Sequence, residues 1–376
     1  MGKNILALTT KEIANDNRVI NYTNALASHG HQVSLICPDS RKQTTTYYQF
    51  STVYISLFAQ RLPSFFVFNL FKTLEFIFRS VFRAKKIKCE AIHANDLQGL
   101  VVASLIKRLA HKDAAIVYDA HEYETEANGI KGFRKKIYQF LERKLIKEVS
   151  GVITVSDTIA NEYVRLYGIE SPTVLLNVPK ITRDTGKKYN LFREKLKIRP
   201  DQRIFLYQGY LMPGRGVEIL LKTFSKLDSD KIVIVFMGKG KLKELIDDYR
   251  EQGNIYFHDF VDPNEFLNYT SSADVGISFI QDISLSDRYC LPNKLFEYIS
   301  CGLPVICSNL PEMKKLVETN KVGVVANENT EEGFKNAVDL MNSKDLDFFK
   351  ANTSATSAKY SWLLQEEKLI QLYNRL

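Results

Sequence analysis

Short apolar runs alternate with amphipathic helical patterns along almost the whole of this 376-residue chain. Such an alternation predicts βαβ units, and βαβ units build parallel sheets. The first series of predicted strands comprises 4–10, 32–37, 91–94, 115–119, 151–155 and 173–176, with helices at 18–28, 97–109, 133–148 and 156–167. The second series of predicted strands comprises 203–208, 231–237, 255–258, 274–278, 305–308 and 323–325.

The alternation breaks once, at about residues 177–200, where a polar and basic stretch replaces the apolar runs. A chain of this length also exceeds a single ordinary core. We therefore expect an α/β fold of two Rossmann-like domains that face each other across a cleft. Ligands in such folds bind at the carboxyl ends of the strands.

The net charge of +8 fits an anionic small ligand, an anionic membrane surface or nucleic acid. No zinc-finger, RNA-recognition or arginine-rich pattern occurs, so we expect no nucleic-acid partner. The five cysteines lack metal-ligand spacing, which favours reduced thiols in the cytoplasm and no metal site. The apolar run 4–8 is expected to be a strand and not the core of a signal peptide.

The segment 289–308 carries the most specific site pattern in the chain. Pro292 and Asn293 mark a helix start, with Asn293 as the expected N-cap. The backbone N–H groups at that start, together with Lys294, favour a phosphate ligand. Glu297 follows one turn later, within reach of a hydroxyl-bearing ligand such as a ribose.

A glycine-rich turn follows the first strand of the second series. Gly209 and Gly214 allow a backbone to approach a phosphate closely. Arg215 in the same turn can hold two phosphate oxygens at once. The alternative for Arg215 is a solvated charge at a helix start, although a cation there opposes the helix dipole.

Polar residues also follow the strands of the first series. A neutral imidazole of His121, just past a strand end, can hydrogen-bond a ligand hydroxyl, and a structural loop histidine is the alternative. Asp96 either lines the expected cleft or caps a helix. Asp16 and Arg18 lie in the first βα turn, where Arg18 is expected to meet a ligand and a capped helix start is the alternative. That turn lacks Gly-x-Gly-x-x-Gly, which argues against a dinucleotide enzyme.

These segments together resemble the retaining GT-B glycosyltransferases of family 4. In that family a Glu-x7-Glu motif straddles a helix start, and its second Glu binds the ribose of a nucleotide-sugar. Glu297 matches the second Glu in a PNKLFEY variant of the motif, while Tyr289 stands in the place of the first. Arg215 matches the Lys of the family's Gly-Arg-Leu-x-x-x-Lys-Gly pattern, and Tyr210 replaces its Arg.

The resemblance implies a metal-independent retaining enzyme that moves a sugar from a nucleotide-sugar to a glycan or lipid-linked acceptor. It implies an acceptor-binding domain at 1–180, a linker at 181–200, a donor-binding domain at 201–358 and a helix at 359–376 that returns to the first domain. The nucleoside-diphosphate sugar would be a substrate, and no cofactor is expected. The alternatives are a catalytically silent GT-B partner subunit and a nucleotide-sugar epimerase.

The residues implied by the resemblance form three groups. The catalytic group comprises His121, Arg215 and Lys294. The acceptor-side group comprises Asp16, Arg18 and Asp96. The donor-binding group comprises Gly209, Tyr210, Gly214, Gly238, Phe260, Val261, Tyr289, Leu291, Pro292, Asn293, Leu295 and Glu297. Within it, Phe260 and Val261 are expected at the nucleobase, with core packing at a strand end as the alternative.

The segment 65–86 predicts a helix with one polar stripe and a broad aromatic face. Its charges argue against a transmembrane span, which leaves an interfacial helix or a helix packed on the domain core. Basic residues at 131–136 and 143–147 add attraction to anionic lipid. We expect a cytoplasmic protein bound peripherally to the inner face of a bacterial membrane, where a lipid-linked acceptor for surface polysaccharide resides.

Overall fold

A computed structural model describes residues 2–13, 16–39, 48–61, 66–181 and 189–376. The predicted helix start at Phe65 lies outside these residues. Residues 182–188 of the polar and basic stretch also lie outside them. The chain divides into two compact units. The first unit comprises Met1–Leu175 and Gln365–Leu376, and the second unit comprises Leu176–Leu364.

Within the described residues, the first unit contains one seven-stranded parallel sheet of order β3-β2-β1-β4-β5-β6-β7. Its strands are β1 (Asn4–Leu8), β2 (Gln32–Pro38), β3 (Ser51–Ile55), β4 (Ala91–Asn95), β5 (Ala115–Asp119), β6 (Gly151–Thr154) and β7 (Thr173–Val174). Its helices are α1 (Asn17–Ser28), α2 (Phe66–Ala84), α3 (Asp96–Leu109), α4 (Gly132–Leu145) and α5 (Asp157–Tyr167). The strand order reverses between β1 and β4.

The strands at the centre of this sheet are buried on both faces and therefore form continuous apolar runs, as in β1 and β4. Strand β3, which was not predicted from the sequence, lies at the edge of the sheet and, among the described residues, pairs only with β2. Of its residues only Ile55 is fully buried, so no apolar run marks it. Ser156 caps α5, since its side chain accepts a hydrogen bond from the backbone N–H of Ile159.

The second unit contains a six-stranded parallel sheet of order β10-β9-β8-β11-β12-β13, counted over the same described residues. Its strands are β8 (Arg203–Tyr210), β9 (Ile232–Lys239), β10 (Ile255–Asp259), β11 (Val275–Ser278), β12 (Val305–Cys307) and β13 (Gly323–Val325). The order reverses between β8 and β11, and ligands of doubly wound sheets bind outside the carboxyl ends of such a pair.

The helices of the second unit pack on both faces of its sheet. They are α6 (Leu191–Leu196), α7 (Val217–Phe224), α8 (Lys243–Asp247), α9 (Phe266–Thr270), α10 (Leu285–Arg288), α11 (Asn293–Ser300), α12 (Pro311–Asn320), α13 (Glu331–Ser343) and α14 (Leu346–Lys359). Helix α6 lies in the segment expected to be a linker. Its Phe192 is fully buried, with its ring centroid 5.6 Å from that of Tyr269, so this part of the chain belongs to the core of the second unit.

The last helix, α15 (Trp362–Asn374), brings the chain back to the first unit. Tyr373 is fully buried there, and its hydroxyl oxygen lies 2.7 Å from Nδ1 of His93 on β4. Lys3 donates a hydrogen bond from Nζ to the carbonyl oxygen of Tyr373. These contacts confirm the predicted return of the C-terminal helix, and the two parallel sheets confirm the predicted α/β fold.

We expect Tyr373→Ala to lower the free energy of unfolding of the first unit by about 3–5 kcal/mol, because it removes a buried aromatic ring. Urea unfolding followed by circular dichroism measures the change. Leu363→Ala is the matched control, since Leu363 lies on the same helix and is 64% exposed. Equal stability of the two variants would contradict the packing of α15 described above.

Candidate functional site

The turn that follows β8 in the second unit depends on glycine at two positions. Gly216 caps α7 with a φ of 81°, and a Cβ there would lie 2.5 Å from the carbonyl oxygen of Phe279. Next to this turn, Gly238 near the end of β9 pairs with Gly209 of β8, and a Cβ on Gly238 would lie 1.9 Å from the Gly209 carbonyl oxygen. Side chains are therefore excluded, and backbone occupies this edge of the sheet. Gly214, also in the turn, has a φ of 83°.

Helix α11 is fixed to the sheet by the buried hydroxyl of Tyr298. This oxygen accepts a hydrogen bond from the N–H of Gln208 and lies 3.1 Å from the carbonyl oxygens of Leu206 and Ile277. The ring occupies the place where Gly276 of β11 lacks a side chain, since a Cβ there would lie 2.2 Å from the ring. Tyr298 therefore ties α11 to both β8 and β11.

The start of α11 differs from the prediction in its cap. Pro292 is the N-cap, no side chain caps the helix, and Asn293 is the first helical residue and exposed. The prediction that Asn293 is the N-cap is therefore wrong. Leu295, expected among the donor-binding residues, has a fully buried side chain, and its N–H donates to the carbonyl oxygen of Pro292. Leu291 is buried as well.

Lys294 lies where the glycine turn and α11 meet. Its Nζ is 4.2 Å from the centroid of the Tyr207 ring and 4.0 Å from the place that a Cβ of Gly209 would occupy. Burial and the nearby charge of Arg215 lower the pKa of Lys294 to about 7, against the opposing effect of Glu297. The ammonium group therefore carries less charge at neutral pH than the sequence analysis assumed.

Glu297 lies one turn along α11 and is held by Gln208. The Nε2 of Gln208 donates to the carboxylate at 2.6 Å, and its Oε1 accepts from the hydroxyl of Thr270 at 2.9 Å. Burial raises the pKa of Glu297 to about 7, although Gln208 and Lys294 oppose the shift. The sequence analysis missed Gln208, whose only mark is a polar side chain at the end of an apolar strand.

Arg215 is partnered and is not a freely solvated charge. Its Nη1 lies 3.5 Å from Oδ1 of Asp287, and its side chain is 43% exposed. Asp287 in turn is held in α10, where its N–H donates to the hydroxyl of Ser284. Tyr289 follows the same helix directly and is half-buried.

Aromatic side chains lie at the carboxyl ends of β8 and β10. Tyr210 and Phe260 are about half exposed, and the Nζ of Lys239 lies 6.0 Å and 4.7 Å from their ring centroids. Val261 is buried next to Phe260. The structure thus gives Phe260 an open face, whereas Val261 takes the core position that was the alternative for both.

A second cluster of charges lies at the carboxyl edge of the sheet in the first unit, around the buried Asp119. Arg18 donates to its two carboxylate oxygens from Nε and Nη2, at 3.0 Å and 2.7 Å, and from Nη1 to the carbonyl oxygen of Leu175. Burial opposes ionisation of Asp119, but Arg18 and His121 hold its pKa well below the usual range. The predicted ligand contact of Arg18 is therefore corrected, because its guanidinium is committed to Asp119.

Both ring nitrogens of His121 have partners in this cluster. Nδ1 lies 3.2 Å from a carboxylate oxygen of Asp96, and Nε2 lies 3.1 Å from Oδ1 of Asn95 and 3.5 Å from Asp119. Burial disfavours protonation, but Asp96 and Asp119 outweigh it and raise the pKa of His121. The direction of this shift favours a protonated ring, whereas a neutral imidazole was expected from the sequence.

Asp96 begins α3 with a φ of 60°, a backbone conformation that is uncommon outside glycine and recurs at functional sites. It is not the N-cap, which is Asn95. Its carboxylate lies 2.6 Å from Nζ of Lys11. Burial and Asp96 raise the pKa of neighbouring Glu124 well above its usual range. The sequence analysis missed Lys11 and Glu124, which only the fold brings to Asp96.

Asp16 takes the structural alternative. It is the N-cap of α1, and its Oδ1 accepts a hydrogen bond from the N–H of Val19 at 3.1 Å. Over the described ranges, no group of three or more His, Cys, Asp or Glu side chains has the arrangement to hold a metal ion.

Helix α2 divides its aromatic face between core and solvent. Phe76 is buried, whereas Leu70, Phe71, Leu74, Phe78 and Phe82 are 52–74% exposed. Its polar stripe is partly internal, since Glu75 accepts hydrogen bonds from the N–H groups of Phe58 and Ala59. Helix α4 also exposes Phe133, Ile137 and Phe140. Among the helices in the described ranges, none combines the length and apolar character needed to cross a bilayer.

Two family models match the chain, one for each half. The model for glycosyltransferase family 4 matches residues 16–177, and that for glycosyl transferases group 1 matches residues 189–357. One relative, chitobiosyldiphosphodolichol beta-mannosyltransferase of Candida albicans, is 20% identical in an alignment of length 254 that covers 62% of this chain and 55% of that protein. The chain spans 50–62% of the length of the curated relatives it matches.

Solved glycosyltransferase structures share the fold along the whole chain. Sucrose-phosphate synthase of Thermosynechococcus elongatus matches with a TM-score of 0.78 and 17% identity, over 100% of this chain and 99% of that one. HepE of Anabaena, solved in complex with UDP-glucose, matches with a TM-score of 0.76 and 14% identity, over the full length of both chains. The matched segments and the shared fold show that this chain belongs to the family 4-like glycosyltransferases with the GT-B fold.

Proposed function

We propose that the chain transfers a sugar from a nucleotide-sugar donor to a glycan or lipid-linked acceptor with retention of configuration. The observation that carries the proposal is the meeting of Lys294, Arg215 and an uncapped helix start at the switch point of the second unit. A helix start and two cations form a seat for a diphosphate. The HepE complexes with UDP and UDP-glucose support a nucleotide-sugar as the ligand of such a site.

In this proposal the second unit stabilises the leaving diphosphate without a metal ion or cofactor. Arg215 and Lys294 neutralise the charge that develops on the phosphates, which is the role that a metal has in other transferases. Glu297, held by Gln208, accepts hydrogen bonds from the ribose hydroxyls. Phe260 and Tyr210 offer open aromatic faces to the nucleobase. The acceptor attacks on the face that the diphosphate leaves, and the diphosphate helps to take its proton.

The first unit would bind the acceptor through Asp96 and His121. Asp96 is fixed by Lys11, and a sugar hydroxyl would donate a hydrogen bond to its carboxylate. The raised pKa of His121 favours the protonated ring, whose Nδ1 lies 3.2 Å from the same carboxylate and holds it in place. Arg18 acts indirectly, because it holds the carboxylate of Asp119, which lies 3.5 Å from Nε2 of His121. Asp16 contributes by starting α1 at the correct residue.

The exposed apolar side chains of α2 and α4 would bind this unit to the cytoplasmic face of a bacterial membrane. Lys and Arg residues flank both helices, and each adds about 1 kcal/mol toward anionic lipid near its surface. The aromatic side chains enter the boundary between headgroups and acyl chains. A peripheral position of this kind suits an enzyme of surface polysaccharide assembly, whose lipid-linked acceptors reside in the membrane.

We expect Glu297→Ala to raise the KM for the donor roughly tenfold to hundredfold, because the hydrogen bonds of this buried carboxyl group to the ribose are lost and Gln208 is left without its partner. Steady-state kinetics with the best substrate of a nucleotide-sugar panel measures the effect. Glu318→Ala on α12 is the control, since Glu318 is exposed and should leave the KM unchanged. Unaltered donor kinetics in the Glu297 variant would remove this assignment. Epimer formation without acceptor, or no turnover of any donor, would favour the epimerase or the silent subunit.

We expect the affinity for the best nucleoside diphosphate to fall as pH rises from about 6 to 9. An anion near Lys294 and Glu297 raises both pKa values, each about 7 in the free protein, so binding takes up protons above that pH. Calorimetry in buffers of different ionisation enthalpy measures the uptake. Lys294→Gln should bind weakly with a flatter pH profile, whereas Lys222→Gln, an exposed control on α7, should behave as wild type. Proton release on binding would refute the proposed charge state.

We expect the protein to co-sediment with vesicles that contain phosphatidylglycerol at low salt, and Phe78→Asp to weaken this binding about tenfold or more by losing buried aromatic area. Leu109→Asp is the control, because Leu109 is 61% exposed on α3. If the wild type fails to bind even at low ionic strength, the membrane proposal is wrong.

A further inference from the structure

An apolar pocket of about 420 Å³ lies in the first unit among α2, α3 and α4. Its volume falls in the range of small-molecule sites. The apolar part of its lining includes Leu70 and Ile77 from α2, Val101 and Val102 from α3, and Leu141 from α4. Aliphatic side chains from three helices therefore line this space, and none of them takes part in the contacts described above for the charge cluster around Asp119.

One end of the pocket is polar. Thr10 donates a hydrogen bond to Oε1 of Gln98 at 2.9 Å, and Nε2 of Gln98 lies 3.4 Å from the hydroxyl of Tyr138. All three side chains line the pocket. Thr10 is followed directly by Lys11, and Gln98 lies two residues after Asp96. Lys11 and Asp96 form an ion pair with each other. The same two chain segments, at the end of β1 and at the start of α3, thus supply polar groups both to the pocket and to the charge cluster that the proposed function assigns to the acceptor.

Helix α2, one wall of the pocket, also carries an exposed apolar stripe. Helix α2 lines the pocket with Phe76 and Ile77 and exposes Phe71, Leu74 and Phe78 to solvent. Lys72, on the same helix, also lines the pocket and places a cation beside its apolar walls. The surface thus joins an exposed apolar stripe, an aliphatic pocket, a cation and a hydroxyl-binding cluster.

We propose that this pocket holds the hydrocarbon chain of a lipid-linked acceptor, with the anionic phosphate of that lipid near Lys72. The inference rests on the proposed function and names its acceptor class, since a free glycan would leave the aliphatic walls without a partner. Burial of a chain in the pocket anchors the lipid, while its sugar headgroup lies toward Asp96 and His121. Because three helices line the pocket, a single hydrocarbon chain fits it, whereas a flat membrane surface does not enter it.

The probe is a series of n-alkyl phosphates from butyl to dodecyl, each used below its critical micelle concentration and followed by calorimetry. We expect the affinity to rise about threefold to fourfold for each added methylene until the pocket is filled. Val101→Trp fills the pocket from α3 and should weaken binding of the decyl compound at least tenfold. Leu141→Trp fills it from α4 and serves as the independent second variant.

Two controls separate the pocket from the surfaces around it. Leu109→Trp adds the same ring to α3 at an exposed position and should bind decyl phosphate as wild type does. Phe78→Asp should weaken vesicle binding but leave decyl phosphate binding unchanged, because Phe78 faces solvent. The melting temperature and the nucleoside diphosphate affinity report folding and the second unit independently.

An affinity that does not depend on chain length, or tryptophan variants that bind as wild type, would overturn the inference even if sugar transfer is demonstrated. Chain-length dependence that is lost in Phe78→Asp and kept in Val101→Trp would also overturn it, since the chain then lies on the exposed stripe. Failure of nucleoside diphosphate binding, with pocket binding intact, would instead count against the proposed transferase function.

Discussion

The hydroxyl of Tyr298 is the interaction on which the geometry of the second unit depends. It is a fully buried polar group that contacts backbone atoms of β8 and β11, the two strands at which the sheet order reverses. A buried hydroxyl without such partners is costly, so the position of α11 along the sheet is strongly restricted. Lys294 lies one turn before Tyr298 on α11, and Glu297 lies directly before it. The positions of both side chains therefore follow from the contacts of the Tyr298 hydroxyl.

The two charge clusters differ in how far they are satisfied within the protein. In the first unit, Asp119 has a bidentate Arg18, and His121 has partners at both nitrogens, so the network is already organised. In the second unit, burial and the nearby Arg215 keep the pKa of Lys294 near 7. That arrangement carries an electrostatic cost, whereas the charges at the centre of the first cluster are paired with one another.

The amphipathic helices show why a hydrophobic pattern does not by itself define a surface. The period of α2 separates polar from apolar residues, but Glu75 binds backbone N–H groups of the preceding segment and Arg79 stacks on Phe58 at 4.5 Å. The polar stripe thus packs against the protein, and much of the aromatic face meets solvent. Helix α4 repeats this exposure with Phe133 and Phe140. Each helix also lines the pocket, which places apolar walls and apolar surface side by side.

The sequence by itself determined the alternation of strands and helices, the parallel sheets and the motif around Glu297, because buried parallel strands must be apolar and helix starts use a small set of residues. Edge strand β3 escaped it, since an edge strand buries too little to leave an apolar run. Only the tertiary structure decided that Arg18 is committed to Asp119, that Gln208 holds Glu297 and that Lys11 reaches Asp96. Those partners are 101, 89 and 85 residues apart, and they meet because each parallel sheet brings together the segments at the carboxyl ends of its strands.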